Sequence, residues 1–228
     1  MNRQALTSVY DAARKREFQL VVAGEDVERA KAAIILVHGR GASAESMMGI
    51  FDELAVPGLA AVAPQAPGHT WYPNSFLVPI AANQPYLDSA LFALESIVTN
   101  LIERGIESKR IAILGFSQGA CLTTEFVATH PRRYGAIIAL TGGLIGPPGT
   151  ARNYPGSLSK TPVFLGSSDP DPHVPFERVQ ETRDVLGAMG AAVELRRYAG
   201  MGHTINEDEL NACQALLSPL ASCGLEKD

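Results

Sequence analysis

Short, unbroken apolar runs alternate along the chain with longer amphipathic segments. The runs at 18–23, 32–38, 60–64, 110–116, 135–141, 161–166 and 192–198 predict β-strands, and the segments at 43–54, 86–104, 118–129, 176–189 and 206–219 predict helices. Continuous stretches such as Ile34-Ile35-Leu36-Val37 imply strands buried on both faces, hence a parallel sheet covered by helices on each side. Regular alternation of the two element types predicts a doubly wound α/β fold spanning 1–228 as one domain. In such a fold, ligands bind beyond the carboxyl ends of the strands.

Two stretches break the alternation. Residues 65–85 contain Pro67, Gly68, Trp71, Tyr72, Pro73, Phe76, Pro79 and Pro85, and residues 142–162 are rich in glycine and proline. Both follow strands, so both are expected on the ligand-binding face as walls of a pocket. Trp71, Tyr72 and Phe76 are the candidate substrate-binding residues, because a purely solvated loop has no use for large aromatic rings.

The strand at 110–116 runs into Gly115-Phe116-Ser117-Gln118-Gly119, and a helix follows at once. A serine on a sharp strand-to-helix turn is held out at the edge of the sheet, and flanking glycines remove the side chains that would clash there. A serine hydroxyl is a weak nucleophile at neutral pH and needs a base, usually a histidine oriented by a carboxylate. His203 lies after the strand at 192–198, crowded by Gly200 and Gly202, and is the candidate base. The loop after the strand at 161–166 offers two acids, Asp169 and Asp171. Either completes the chain order Ser, Asp, His. An oxyanion hole needs two backbone N–H groups. Gln118, next to the serine, supplies one candidate, and Arg40, between Gly39 and Gly41 after an early strand, supplies the other. The Arg40 guanidinium either reaches an anionic substrate or stands in solvent. His38 reads as a structural hydrogen-bonding group beneath that loop.

Composition narrows the class without choosing the chemistry. Hydrophobic residues make up 46% and charged residues 19%, with a net charge of −5. No basic cluster points to nucleic acid, and no apolar run is long enough to span a membrane. The three cysteines, an odd number without framework spacing, and an N-terminus lacking an apolar h-region lead us to expect a cytoplasmic protein. Cys121 is expected as a buried apolar residue, and Cys213 and Cys223 in the last helix and its tail. The five histidines show no ligand spacing, so no metal is expected.

Leu36-Val37-His38-Gly39-Arg40-Gly41, Ala63-Pro64-Gln65-Ala66-Pro67, Gly115 to Ala120, the loop from Gly166 to Pro175, and Gly200-Met201-Gly202-His203 occur in that order. Together they resemble the phospholipase/carboxylesterase branch of the α/β-hydrolases, which includes the acyl-protein thioesterases. The resemblance implies an α/β-hydrolase fold with a mostly parallel sheet. It also implies cofactor-free hydrolysis of carboxylic or thio esters by a Ser-His-Asp triad, and a small-molecule ester as the partner. Carried onto this chain, the nucleophile is Ser117, the base His203 and the oxyanion donors Arg40 and Gln118. Many relatives of this size form dimers, so a homodimer is also implied. The family loop reads Gly-x-x-Asp-x-x-Val-Pro. Two extra residues here let Asp169 keep the spacing from Gly166 and Asp171 the spacing to Val174-Pro175. Asp169 is taken as the acid, on the reasoning that a strand end fixes a side chain more rigidly than a helix start. The bulky 71–76 segment favours small esters over the long acyl chains of a thioesterase or lysophospholipase. A low-turnover binding or sensor protein on the same fold is the reading from another class, and retention of all three catalytic residue types argues against it.

Overall fold

The computed structural model describes residues 7–222, so Cys223 and the N-terminal residues 1–6 lie outside the described residues. Eight strands form one sheet: β1 (Ser8–Asp11), β2 (Arg16–Gly24), β3 (Ala32–Val37), β4 (Leu59–Gln65), β5 (Ile111–Phe116), β6 (Ala136–Leu140), β7 (Pro162–Asp169) and β8 (Ala192–Ala199). Their spatial order is β1-β2-β4-β3-β5-β6-β7-β8. From β4 to β8 every neighbouring pair is parallel, whereas β1–β2 and β2–β4 are antiparallel. The four-residue β1 has no counterpart among the sequence-predicted strands. It is too short to carry a hydrophobic signature and is held by pairing with β2.

Five helices cover the sheet: α1 (Ala44–Leu54), α2 (Tyr86–Glu103), α3 (Gln118–Thr129), α4 (Phe176–Ala188) and α5 (Glu207–Ser222). The period of two along each strand sorts the core into two layers. Ala33, Ile35 and Val37 of β3 face the layer built by α2, α3 and α4, with Ile113 and Ile137 beside them. Ala32, Ile34 and Leu36 face the layer of α1 and α5, with Leu114 and Ile138. All six β3 side chains are buried, which is why the run reads as continuously apolar. Among the described residues, no helix is long and apolar enough to cross a membrane. Cys121 and Cys213 are free and buried.

The entry to α5 fixes the loop that precedes it. Asn206 Oδ1 accepts from the Glu209 N–H at 2.9 Å, and Glu209 Oε2 accepts from the Asn206 N–H at 3.0 Å, a reciprocal cap. Glu209 is fully buried, and its Oε1 has no partner among the described residues. That oxygen lies against Gly166, where an added Cβ would approach it to 2.2 Å. Burial pushes the Glu209 carboxyl up to about 7, opposed by the Asn206 N–H and reinforced by the neighbouring Asp208 charge.

A carboxyl held above its unfolded value of 4.5 keeps its proton in the native state while the unfolded chain loses it. Its contribution to stability therefore falls as pH rises from 4.5 towards about 7. Glu209→Gln, which keeps an acceptor for Asn206, should be more stable than the native protein at about pH 8.5, by on the order of 2 kcal/mol. The difference should vanish or reverse at about pH 5, as read by urea unfolding at the two pH values. An equal difference at both would show that ionisation of Glu209 does not set the pH dependence of stability.

Candidate active site

The turn between β5 and α3 places Ser117 at φ 54° and ψ −118°, a conformation that side-chain-bearing residues seldom adopt. Two glycines make it accessible. A Cβ on Gly119 would stand 2.1 Å from the Val37 carbonyl oxygen, and one on Gly115 would stand 2.3 Å from the Gly119 oxygen. The Ser117 N–H donates to Leu140 O at 2.9 Å, and Ser117 O accepts from the Cys121 N–H at 3.0 Å, so both sides of the turn are tied.

His203 projects from the loop after β8. Its Nε2 lies 2.9 Å from Ser117 Oγ and its Nδ1 lies 2.8 Å from Asp171 Oδ2. The Phe116 ring packs 5.2 Å from the imidazole, and the His173 ring meets it edge-on at 4.9 Å. The loop is pinned by the Gly200 N–H donating to Asp169 O, by Ser168 Oγ donating to Met201 O, and by the α5 cap.

The acid facing His203 is Asp171, not the expected Asp169. Strand β7 runs to Asp169, three residues beyond the sequence-predicted end, and pairs there with Ala199 of β8. Still part of the sheet, Asp169 turns its carboxylate onto Arg197 of β8. Asp171 lies past the strand with its side chain fully buried. Its Oδ1 accepts from the N–H groups of His173 and Val174 at 2.7 and 2.8 Å, leaving Oδ2 for the imidazole. Burial pushes its carboxyl up, but His203 and those two N–H groups outweigh it and hold the group below its ordinary value. The Asx turn into Val174 sets the geometry, so distance from Val174-Pro175 was the correct ruler.

The other expected residues divide. Gln118 is the first residue of α3, so its N–H has no intrahelical acceptor. Its side chain, which sequence reasoning left unused, accepts from the Trp71 N–H at 3.0 Å and from Thr70 Oγ1 at 3.2 Å, and donates to Tyr72 O at 2.8 Å. Gly39 packs directly on the serine, where an added Cβ would be 3.4 Å from Ser117 Cβ, and this brings Arg40 alongside the turn. The Arg40 guanidinium donates to Thr70 Oγ1, Pro73 O and Asn74 O at 3.0, 2.9 and 2.7 Å. His38 is buried beneath the same loop, with Nδ1 on Gly39 O and Nε2 accepting from the Ala66 N–H, and burial lowers its pKa.

Trp71, expected to line the pocket, is fully buried instead. It stacks on Phe18, packs against the tilted His38 ring and donates Nε1–H to His38 O at 2.7 Å, joining the 65–85 segment to the loop after β3. Tyr72 and Phe76 do line a cavity of about 410 Å³, together with Ser117, Gln118, Cys121, Val174 and His203. The segment 142–162 contributes no lining residue to it. Gly146 instead donates to Phe76 O, and Ile145 donates to the buried Glu125 carboxylate, so this segment backs the cavity wall. Cys121 was read only as a core residue; burial pushes its thiol up to about 12, so it faces the cavity as a neutral thiol. Among the described residues no cluster of three His, Cys, Asp or Glu is arranged to hold a metal.

The family model described as Phospholipase/Carboxylesterase matches residues 18–220. The chain is 29% identical over 209 residues to acyl-protein thioesterase 1 of Debaryomyces hansenii, covering 79% of this chain and 88% of that protein. It is 33% identical over 130 residues to acyl-protein thioesterase 1 of Saccharomyces cerevisiae, covering 54% and 55% respectively. The match spans about half the length of the first curated relatives. A solved phospholipase/carboxylesterase from Dyadobacter fermentans superposes with a TM-score of 0.85 and 44% identity, covering 88% of this chain and 96% of that one.

The Gln118 side chain leaves a clear stability signature. Gln118→Met keeps the bulk but strands the buried Trp71 N–H, and should destabilise the fold by about 1–3 kcal/mol in urea titration. An unchanged midpoint would show that the 70–72 backbone does not depend on this amide.

Proposed function

This chain belongs to the phospholipase/carboxylesterase family, and on that premise we propose that it is a serine hydrolase that cleaves small carboxylic esters through an acyl-enzyme. The observation that carries the reading is the continuous line from Asp171 through His203 to Ser117, with contacts of 2.8 and 2.9 Å. In this reading His203 Nε2 takes the Ser117 proton as Oγ attacks the ester carbonyl. Asp171 holds Nδ1 protonated, so that Nε2 is the free base, and balances the imidazolium that forms. The N–H groups of Arg40 and Gln118 stabilise the oxyanion. His203 then protonates the departing alcohol, and a water activated by the same imidazole hydrolyses the acyl group from Ser117.

The cavity supports a compact substrate: its volume is at the small end for ligand sites, and Tyr72, Phe76 and Val174 give it an apolar wall. The thioesterase names of the relatives favour a second reading, hydrolysis of acyl thioesters, which uses the same three groups.

One assay addresses both the residues and the substrate size. Hydrolysis of p-nitrophenyl esters from acetate to palmitate should peak at two to four carbons. Ser117→Ala should lower kcat/KM by about 10⁴-fold or more, and Asp171→Asn by about 10³- to 10⁴-fold, with Asp169→Asn changing it only a few-fold. A maximum at long chains would favour a lipid or acyl-thioester substrate, and greater damage from Asp169→Asn would return the acid to Asp169.

A further inference from the structure

We propose that the site selects esters that also bear a carboxylate, such as monoesters of small dicarboxylic acids, and that the Arg40 guanidinium is the group that recognises it. The inference rests on the hydrolase reading for the reaction, but the anion site stands on its own geometry.

Arg40 lines the cavity that holds Ser117 and His203. Nine other arginines of the described chain hold carboxylates. Arg40 holds none: its partners are the neutral oxygens of Thr70, Pro73 and Asn74. No aspartate or glutamate lines the cavity. The nearby acid of the relay, Asp171, is fully buried behind His203, its two oxygens occupied by the imidazole and two backbone N–H groups. The cavity therefore carries a full positive charge that nothing in its wall neutralises, in a protein whose net charge is −5.

The Arg40 side chain is exposed to solvent, but it is tied down there rather than free. Three bonds to the 70–74 segment fix the guanidinium, and its plane lies near the Tyr72 ring, 5.9 Å from Cζ to the centroid. Those bonds use both Nη1 hydrogens and one Nη2 hydrogen, leaving Nε–H and one Nη2–H. Nε and Nη2 share one edge of the guanidinium, the edge that takes a carboxylate side-on through two parallel hydrogen bonds. Preorganisation by the loop removes most of the entropic cost that an exposed arginine ordinarily meets on binding.

The test compares monomethyl succinate with its neutral isostere, methyl succinamate. In calorimetry with Ser117→Ala protein, which does not turn over ester, monomethyl succinate should bind about tenfold or more tightly than methyl succinamate. The same preference should appear in kcat/KM for the native protein. Arg40→Gln should bring both ratios close to one, and Arg40→Lys, which keeps the charge without the fork, should retain part of the preference. A native ratio at or below one, or a ratio unchanged by Arg40→Gln, overturns the proposal. Turnover of both esters without charge preference sinks the anion site and leaves the hydrolase reading intact. A binding preference that depends on Arg40, with no turnover of either ester, upholds the anion site and sinks the hydrolase reading.

Discussion

The site depends on one close approach, that of α3 to the carboxyl ends of β3 and β5. Backbone at Gly119 packs on the Val37 carbonyl so tightly that no side chain fits between them, and Gly115 packs as tightly on Gly119. This contact forces the chain through the strained turn at Ser117 and aims its hydroxyl out of the sheet. The strain is held by the surrounding structure: Ser117 is tied to β6 through Leu140, and the strands on either side of β5 are fully buried. Everything else at the site is measured from this fixed point.

Around it, two loops are built to face the serine. The loop after β3 is held by His38 from below and by Trp71, whose indole donates to His38 O. The 65–85 segment is held by the Gln118 amide from one side and the Arg40 guanidinium from the other. Gln118, next to Ser117, and Arg40, in the loop after β3, therefore also fix the cavity wall. A substitution at Gln118 or Arg40 should alter the shape of the pocket as well as the surroundings of Ser117.

Much of this was legible in the sequence, for identifiable reasons. Strands buried on both faces write continuous apolar runs, so β3 to β7 and the helices between them were readable. The sharp strand-to-helix turn at Ser117 was readable because only glycines tolerate the contacts on either side of it. What the sequence hid was register and direction. Asp169 and Asp171 are two residues apart, and choosing between them requires knowing that β7 extends to Asp169 and turns it onto Arg197. Trp71 was misread because an aromatic residue in a loop signals burial but not which surface it is buried against. The polar side chains of Gln118 and Arg40 carry no signal of their long-range partners, the Thr70 hydroxyl and backbone atoms some 30 to 50 residues away.

In the proposed mechanism, the relay from Asp171 through His203 makes Ser117 the reactive nucleophile of this chain. The most direct test is labelling with a fluorophosphonate, which reacts with an activated serine, followed by peptide mass spectrometry. One adduct per chain is expected, on the tryptic peptide Ile111–Arg132, in which Ser117 is the only serine, with labelling slowed strongly in Asp171→Asn. No adduct, an adduct on another peptide, or labelling of Asp171→Asn at the native rate would contradict it.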